Sequence, residues 1–157
     1  VQTCALPILP ELEFTSNDRM IAFGDTKLLV FEGTQKPQQK AEIVLEQKAR
    51  SIFHNENYIG IVTENEDEEA AHHLRVYRVN GDMVMEKNFG MEYDSIEFLS
   101  NDEICIRTEN ICDLYTLRGV YKFHYEFDRE LYQVIPGDAG LNYTFVLKDA
   151  TERVRLK

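Results

Sequence analysis

Two stretches of this 157-residue chain read almost alike. "EFTSND" begins at Glu13 and "EFLSND" at Glu97, differing at one of six positions and lying 84 residues apart. Self-similarity at a fixed period is the mark of repeat architectures, so this echo limits the fold more than composition does. Comparable segments open on the apolar residues Leu12, Ile52, Ile96 and Val134, spaced by 40, 44 and 38 residues. The echo therefore spans two periods of about 41 residues. The intervening copy is "SIFHNENYIGIVTE" from Ser51, and a fourth is "YQVIPGDAGLNYTFVLK" from Tyr132.

Each unit breaks into short runs rich in Val, Ile, Phe and Tyr, bounded by turn residues. That is the signature of strands. The first unit reads "ELEFT", "RMIAF", "KLLVFE", "AEIVLE"; the second "RSIFH", "YIGIVTE", "HLRVYRV", "MVMEKNF". The third reads "DSIEFLS", "EICIRTE", "CDLYTL", "YKFHYEF"; the fourth "LYQVI", "YTFVLK", "RVRLK". Between them stand Ser16-Asn17-Asp18, Gly24-Asp25, Asn80-Gly81-Asp82, Arg118-Gly119 and Pro136-Gly137-Asp138. Asn and Asp bond their own backbone two residues on, and Gly accepts positive φ. A helix is tempting only across "PQQKAEIVLEQKARSIF", where the unit register favours a strand. Four short strands per unit is the cadence of a β-propeller blade. A β-sandwich or orthogonal barrel is the competing fold, but neither explains the echo. The expected architecture is all-β: a partial β-propeller of about four blades, with units near 11–48, 49–92, 93–129 and 130–157. The last blade is expected to be incomplete, its outer edge near residues 152–157 unpaired and its missing strand upstream of Leu9.

"VQTCALPI" fits none of this. It resembles a translated sequencing adapter, so Val1–Ile8 is expected to be extraneous, with the authentic chain, residues 9–157, beginning inside a longer gene.

Acidic residues outnumber basic ones 28 to 17, giving a net charge of −11. Such a chain repels nucleic-acid phosphates and anionic membrane surfaces, and nucleic acid is not an expected partner. No apolar run approaches the ~18 residues of a membrane span. Of three cysteines, Cys4 lies in the foreign segment. Cys105 and Cys112 flank a hairpin turn at Glu109-Asn110, which pairs Arg107 with Cys112 and Cys105 with Leu114. The two thiols then share a face diagonally, and are read as half-buried free thiols rather than a disulfide or metal pair.

"YIGIVTENEDEEAAHHLRVYRVNGDMVMEKNF" followed by "IEFLSNDEICIRTENICDLYTLRGVYKFHYEF" resembles an uncharacterised family of Gram-positive bacteria, a domain of unknown function. Its members look like an N-terminal membrane anchor followed by a propeller-like ectodomain. The resemblance covers Leu9 to Lys157. It implies an extracytoplasmic location, the alternative being cytoplasmic, and an upstream anchor. It transfers no functional residue.

The acidic run "TENEDEEAAHH", Thr63 to His73, is the most conspicuous chemical feature. Glu64, Glu66, Asp67, Glu68 and Glu69, with His72 and His73 beyond, could be read as a cation site. Calcium loops need a Gly at the sharp turn, however, and this run has none. A solvated loop is the simpler reading. No nucleophile, zinc, P-loop or dinucleotide motif is present. A carboxylate pair acting on glycans stays open, because such pairing is spatial. The chain has no Trp to stack on sugars. Tyr58, Tyr93, Tyr121, Tyr125 and His124 all fit strand positions.

In a propeller, loops between second and third strands share a rim with those between blades. Here that rim carries Asp25, Glu64, Glu66, Asp67, Glu68, Glu69, Glu92, Glu109, Asp128 and Asp149. The opposite rim holds Asn17, Gln38, Asn55 and Gly137. One acidic rim would suit a basic partner or the divalent ions of a cell wall. The expected function is a non-enzymatic binding scaffold, with an unknown protein or cell-wall partner, no metal and no cofactor. The alternative is a glycan-active hydrolase or lyase with carboxylates in the channel.

Overall fold

A computed structural model describes residues 11–14, 18–33, 35–66 and 68–156, with backbone alone at 11–14, 68 and 139. The adapter-like segment, the turn residues Ser16 and Asn17, and Asp67 lie outside the described residues.

The described chain folds into fifteen strands in four consecutive antiparallel sheets. Sheet one holds β1 (Glu11–Phe14), β2 (Arg19–Phe23), β3 (Lys27–Glu32) and β4 (Gln38–Val44). Sheet two holds β5 (Ser51–His54), β6 (Tyr58–Glu64), β7 (His72–Arg78) and β8 (Met83–Phe89). Sheet three holds β9 (Ser95–Phe98), β10 (Ile104–Arg107), β11 (Ile111–Tyr115) and β12 (Tyr121–Glu126). Sheet four stops at three: β13 (Leu131–Pro136), β14 (Asn142–Leu147) and β15 (Ala150–Arg155). The helix-tempting segment is indeed a strand, and the two helical turns among the described residues are 3-10 pieces, Glu68–Ala70 and Asp138–Gly140.

Leu12, Ile52, Ile96 and Val134 pair with Ala22, Ile61, Ile106 and Phe145 on the second strand of their sheets. Those residues pair onward with Leu29, Arg75, Asp113 and Glu152. The onward partner lies seven positions along in sheets one, three and four, and fourteen along in sheet two. Sheet two thus carries seven extra residues, and they are the acidic run. β15 begins three residues before the "RVRLK" read as a strand. The cause is a two-residue turn at Lys148-Asp149, where Asp149 takes the left-handed conformation (φ 63) that Asp tolerates.

The core lies between sheets. Ile21, Leu28 and Val30 of sheet one meet Ile59 and Ile61 of sheet two. Val62, Leu74 and Val76, on the other face of sheet two, meet Ile104 and Ile106 of sheet three. Cys105, Cys112 and Leu114, on the far face of sheet three, meet Tyr143 and Phe145 of sheet four. β6, β10 and β11, which lie between two such interfaces, therefore bury both faces, which is why "ICIR" and "YIGIV" are near-continuous apolar runs rather than alternating ones. Three interfaces between four consecutive sheets is the fan of a propeller: all-β, four blades, the last incomplete.

The hairpin register at Cys105 and Cys112 is as read from sequence. The thiols are fully rather than half buried, because sheet four covers them, and their sulfurs are 3.5 Å apart. The hydrogen bond to Cys112, together with burial, pushes the Cys105 thiol up, so it stays protonated.

Candidate functional site

The acidic insertion is built onto the end of sheet two. Glu64 and His72 close the β6–β7 pair, and the Asn65 amide donates to the Ala71 carbonyl at 2.7 Å. The 3-10 turn at Glu68–Ala70 packs over Gly90, where a Cβ would lie 2.2 Å from the Glu69 carbonyl oxygen. No other residue type fits there without moving the loop. Gln47 Nε2 donates to the Glu64 carbonyl at 2.9 Å from the β4–β5 connection.

Beneath the insertion lies a polar and aromatic cluster. His72 is 1% exposed, its ring 5.0 Å from that of Phe89 and 5.2 Å from that of Tyr93. Its Nε2 stands 3.5 Å from Glu92, and neither ring nitrogen makes a hydrogen bond among the described residues. Burial lowers the His72 pKa, Arg50 lowers it further, and Glu92 opposes both. Arg50 bonds Glu92 at 3.0 Å and lies over the Tyr93 ring, 4.9 Å from its centre. Ser51 Oγ and the Tyr93 hydroxyl are 2.8 Å apart. The two connections that meet here, β4–β5 and β8–β9, share the rim with the insertion.

The remaining rim acids occupy the places expected from the turns: Asp25 between β2 and β3, Glu109 between β10 and β11, Asp128 between β12 and β13, and Asp149 between β14 and β15. Several have cationic neighbours. Asp25 pairs with Lys48 at 3.3 Å, Glu92 with Arg50, and Asp128 with Arg129 at 3.6 Å. The opposite rim carries Asp18, Glu56, Asp82, Asp102, Glu103 and Asp138 beside the neutral residues noted in the sequence. The charge difference between the rims thus rests on the insertion, where Glu66 and Glu69 stand with Glu64.

Sequence reasoning passed over Asp94, Arg107 and Glu130. With Ser95, Glu109 and Tyr132 they line an open pocket of about 350 Å³ between sheets three and four on the same rim. Arg107 donates to Ser95 Oγ at 2.8 Å and to the Tyr132 carbonyl at 2.6 Å, and pairs with Glu97 at 3.4 Å. Glu97 lies on β9, the first strand of sheet three, as Glu11 and Glu13 lie on β1, the first strand of sheet one. His124, on β12, donates through Nδ1 to Asp113 at 2.7 Å at the outer perimeter. Burial and Asp113 beside it push Tyr115 up to about 12.

The geometry defines the class first: a partial β-propeller with one acidic insertion. Residues 5–156 match a family of unknown function, DUF5711, and the chain belongs to it. The match begins within the adapter-like stretch. No curated protein matches. Among solved structures, the chain is similar to Hsv2 of Kluyveromyces marxianus, with 8% identity and a TM-score of 0.62, over 94% of this chain and 46% of that one. It is similar to BBS1N, solved in complex with ARL6DN, with 9% identity and a TM-score of 0.55, over 92% of this chain and 50% of that one. The Neurospora crassa Pan2 WD40 domain gives 13% identity and a TM-score of 0.53, over 94% and 48%. The chain spans about half the length of these structures. At such identities the likeness shows the fold alone.

Proposed function

We propose that this domain is an interaction scaffold whose acidic rim binds a basic protein partner. We further propose that it works outside the cytoplasmic membrane of a Gram-positive bacterium, carried by an upstream anchor. The observation that carries the scaffold reading is the insertion. One of four sheets has a lengthened β6–β7 connection, the added residues are acidic, and the loop is docked on Gly90 rather than hanging free. A loop held in place presents its charges at little ordering cost on binding. BBS1N, on a similar fold, was solved with a protein partner. Resemblance to an anchored ectodomain family supports the location.

The test replaces Glu64, Glu66, Asp67, Glu68 and Glu69 with Ser and titrates both proteins with polylysine at two salt concentrations. Wild type should bind in a salt-sensitive way, and the variant on the order of ten-fold more weakly. Equal binding by both proteins would remove the rim from the account.

A further inference from the structure

We propose that His72 is an acid-operated latch on the insertion: its protonation releases residues 65–71 from their seat while the sheets stay folded. This rests on the acidic-rim reading and adds a means of regulating it. β7 buries alternate residues, His72, Leu74 and Val76, and the last two belong to the core shared with sheet three. An apolar side chain would serve equally in that row. A histidine there leaves both ring nitrogens buried with no hydrogen bond among the described residues. Such orphaned polar groups are rare in folded proteins, because each has lost its hydration and gained nothing in return.

The position of His72 ties its burial to the loop. It is the first residue of β7 and pairs with Glu64, the last of β6. The next bond outward joins the Asn65 amide to the Ala71 carbonyl and closes the insertion at its base. Fraying this end of the hairpin therefore hydrates the imidazole and frees the insertion in one step. The β8–β9 connection also covers His72, through the Tyr93 ring. That connection holds Gly90, on which the Glu69 carbonyl rests. The rest of β6 and β7 stays packed against sheets one and three.

The groups around the ring disfavour an imidazolium in the closed state. Arg50, from the β4–β5 connection, repels one. Glu92, from the β8–β9 connection, attracts one, but it stands 3.5 Å from Nε2 and is already bonded to Arg50 at 3.0 Å. Glu64, across the strand pair, attracts one more weakly. Tyr93 is uncharged, its hydroxyl tied to Ser51 and its pKa raised by burial. On β8, Lys87 lies over the Tyr115 ring, 5.3 Å from its centre. His73 points to the opposite face, toward Glu86 at 3.8 Å, and Glu66 and Glu69 lie on the segment that leaves. Burial and Arg50 outweigh the carboxylates and hold the His72 pKa below 6.5 while the latch is closed. In the open state the ring is hydrated and its pKa returns toward that value. The open state thus binds more protons, and opening grows as pH falls below 6.5. A freed loop must be ordered again before it presents its carboxylates, so acid weakens capture of a basic partner.

The test is amide exchange on the 157-residue chain at about pH 7.5 and about pH 5.5, read as protection factors so that the intrinsic pH dependence of exchange cancels. A ring-proton titration of His72 accompanies it. In the unaltered chain, protection within residues 65–71 should fall at the acid pH, by a factor that the ordinary histidine pKa limits to about ten. Protection at Ile61, Leu74 and Val76 should hold. His72→Phe should keep the loop equally protected at both pH values. Arg50→Gln frees Glu92 to meet the imidazolium and should shrink the response. Circular dichroism shows whether each variant keeps its fold, and the titration and the exchange of the unaltered chain decide the matter without them. A His72 pKa at or above 6.5, loop protection unchanged by acid, a loss spread equally through the sheets, or the same loss in His72→Phe would each overturn the proposal. Polylysine takes no part in these measurements. A rim that fails to bind it therefore leaves the latch standing, and a latch that fails leaves the acidic-rim reading standing.

Discussion

Phe53 and Gly60 face each other across β5 and β6, and the Phe53 ring fills the space a Cβ on Gly60 would need, 2.1 Å from Cζ. The ring passes on to Phe98 of sheet three, its centroid 4.6 Å away. One missing methyl group thus lets sheet two carry an aromatic contact to its neighbour.

Gly60→Ala should therefore overpack this joint. The expected loss is about 1–3 kcal/mol, seen as a lower melting temperature with unchanged strand content. An unaltered melting temperature would mean that Phe53 has somewhere else to go.

Gly90→Ala should act on the loop rather than the core. Its Cβ would meet the Glu69 carbonyl, a backbone atom that moves only with the insertion. Protease cleavage and amide exchange within residues 65–71 should rise, with a much smaller change in global stability. Equal losses in both would show that the insertion is part of the cooperative core.

Sheets three and four are joined by a polar bridge. Lys122 Nζ donates to Glu103 and the Gly140 carbonyl, each at 2.5 Å, and also bonds the Tyr143 hydroxyl, which donates to Glu103 at 2.6 Å. Burial and the hydrogen bond to Glu103 push the Tyr143 pKa up. Lys122→Met would strand the Glu103 carboxylate and should cost roughly 2–4 kcal/mol. Tyr143→Phe removes the hydroxyl's bonds to Lys122 and Glu103 but leaves the Lys122–Glu103 ion pair, and should cost about 1–2 kcal/mol. Chemical denaturation of both variants checks the order, and a larger loss from Tyr143→Phe would contradict it.

His72 sets a pH dependence. Its pKa is lowered in the folded state, so the unfolded chain binds more protons below the ordinary value of 6.5. The contribution is complete above that pH and is lost as pH falls toward the folded pKa. The melting temperature should drop on acidification through this window, and His72→Phe should remove that part of the drop. An identical pH slope in the variant would place the dependence elsewhere.

The fold was legible because turn chemistry and strand runs recur locally: Asn80-Gly81-Asp82 and Glu109-Asn110 mark hairpins whatever surrounds them. The Cys105–Cys112 diagonal followed from that register. Their full burial did not, since Tyr143 and Phe145 of another unit cover them. The cluster under the insertion was illegible for the same reason. Arg50 and Glu92 come from two connections and His72 from the start of β7, and only the packing of neighbouring sheets brings them together. The acids at 64–69 were visible as a run, but Gly90, which seats them, lies in the next loop. Counting acids along the chain also hid Lys48 and Arg50, which meet Asp25 and Glu92 across the rim rather than beside them in sequence.

The central claim is that four like sheets stack in sequence order, each touching only its neighbours. Nuclear Overhauser contacts in the 157-residue protein test it. Backbone pairs Ile52–Ile61, Ile96–Ile106 and Val134–Phe145 should appear, with side-chain contacts Phe53–Phe98 between sheets two and three and Phe123–Tyr143 between three and four. Side-chain contacts from the core residues Ile21 or Val30 of sheet one to sheet three, as a two-layer sandwich would give, would contradict it.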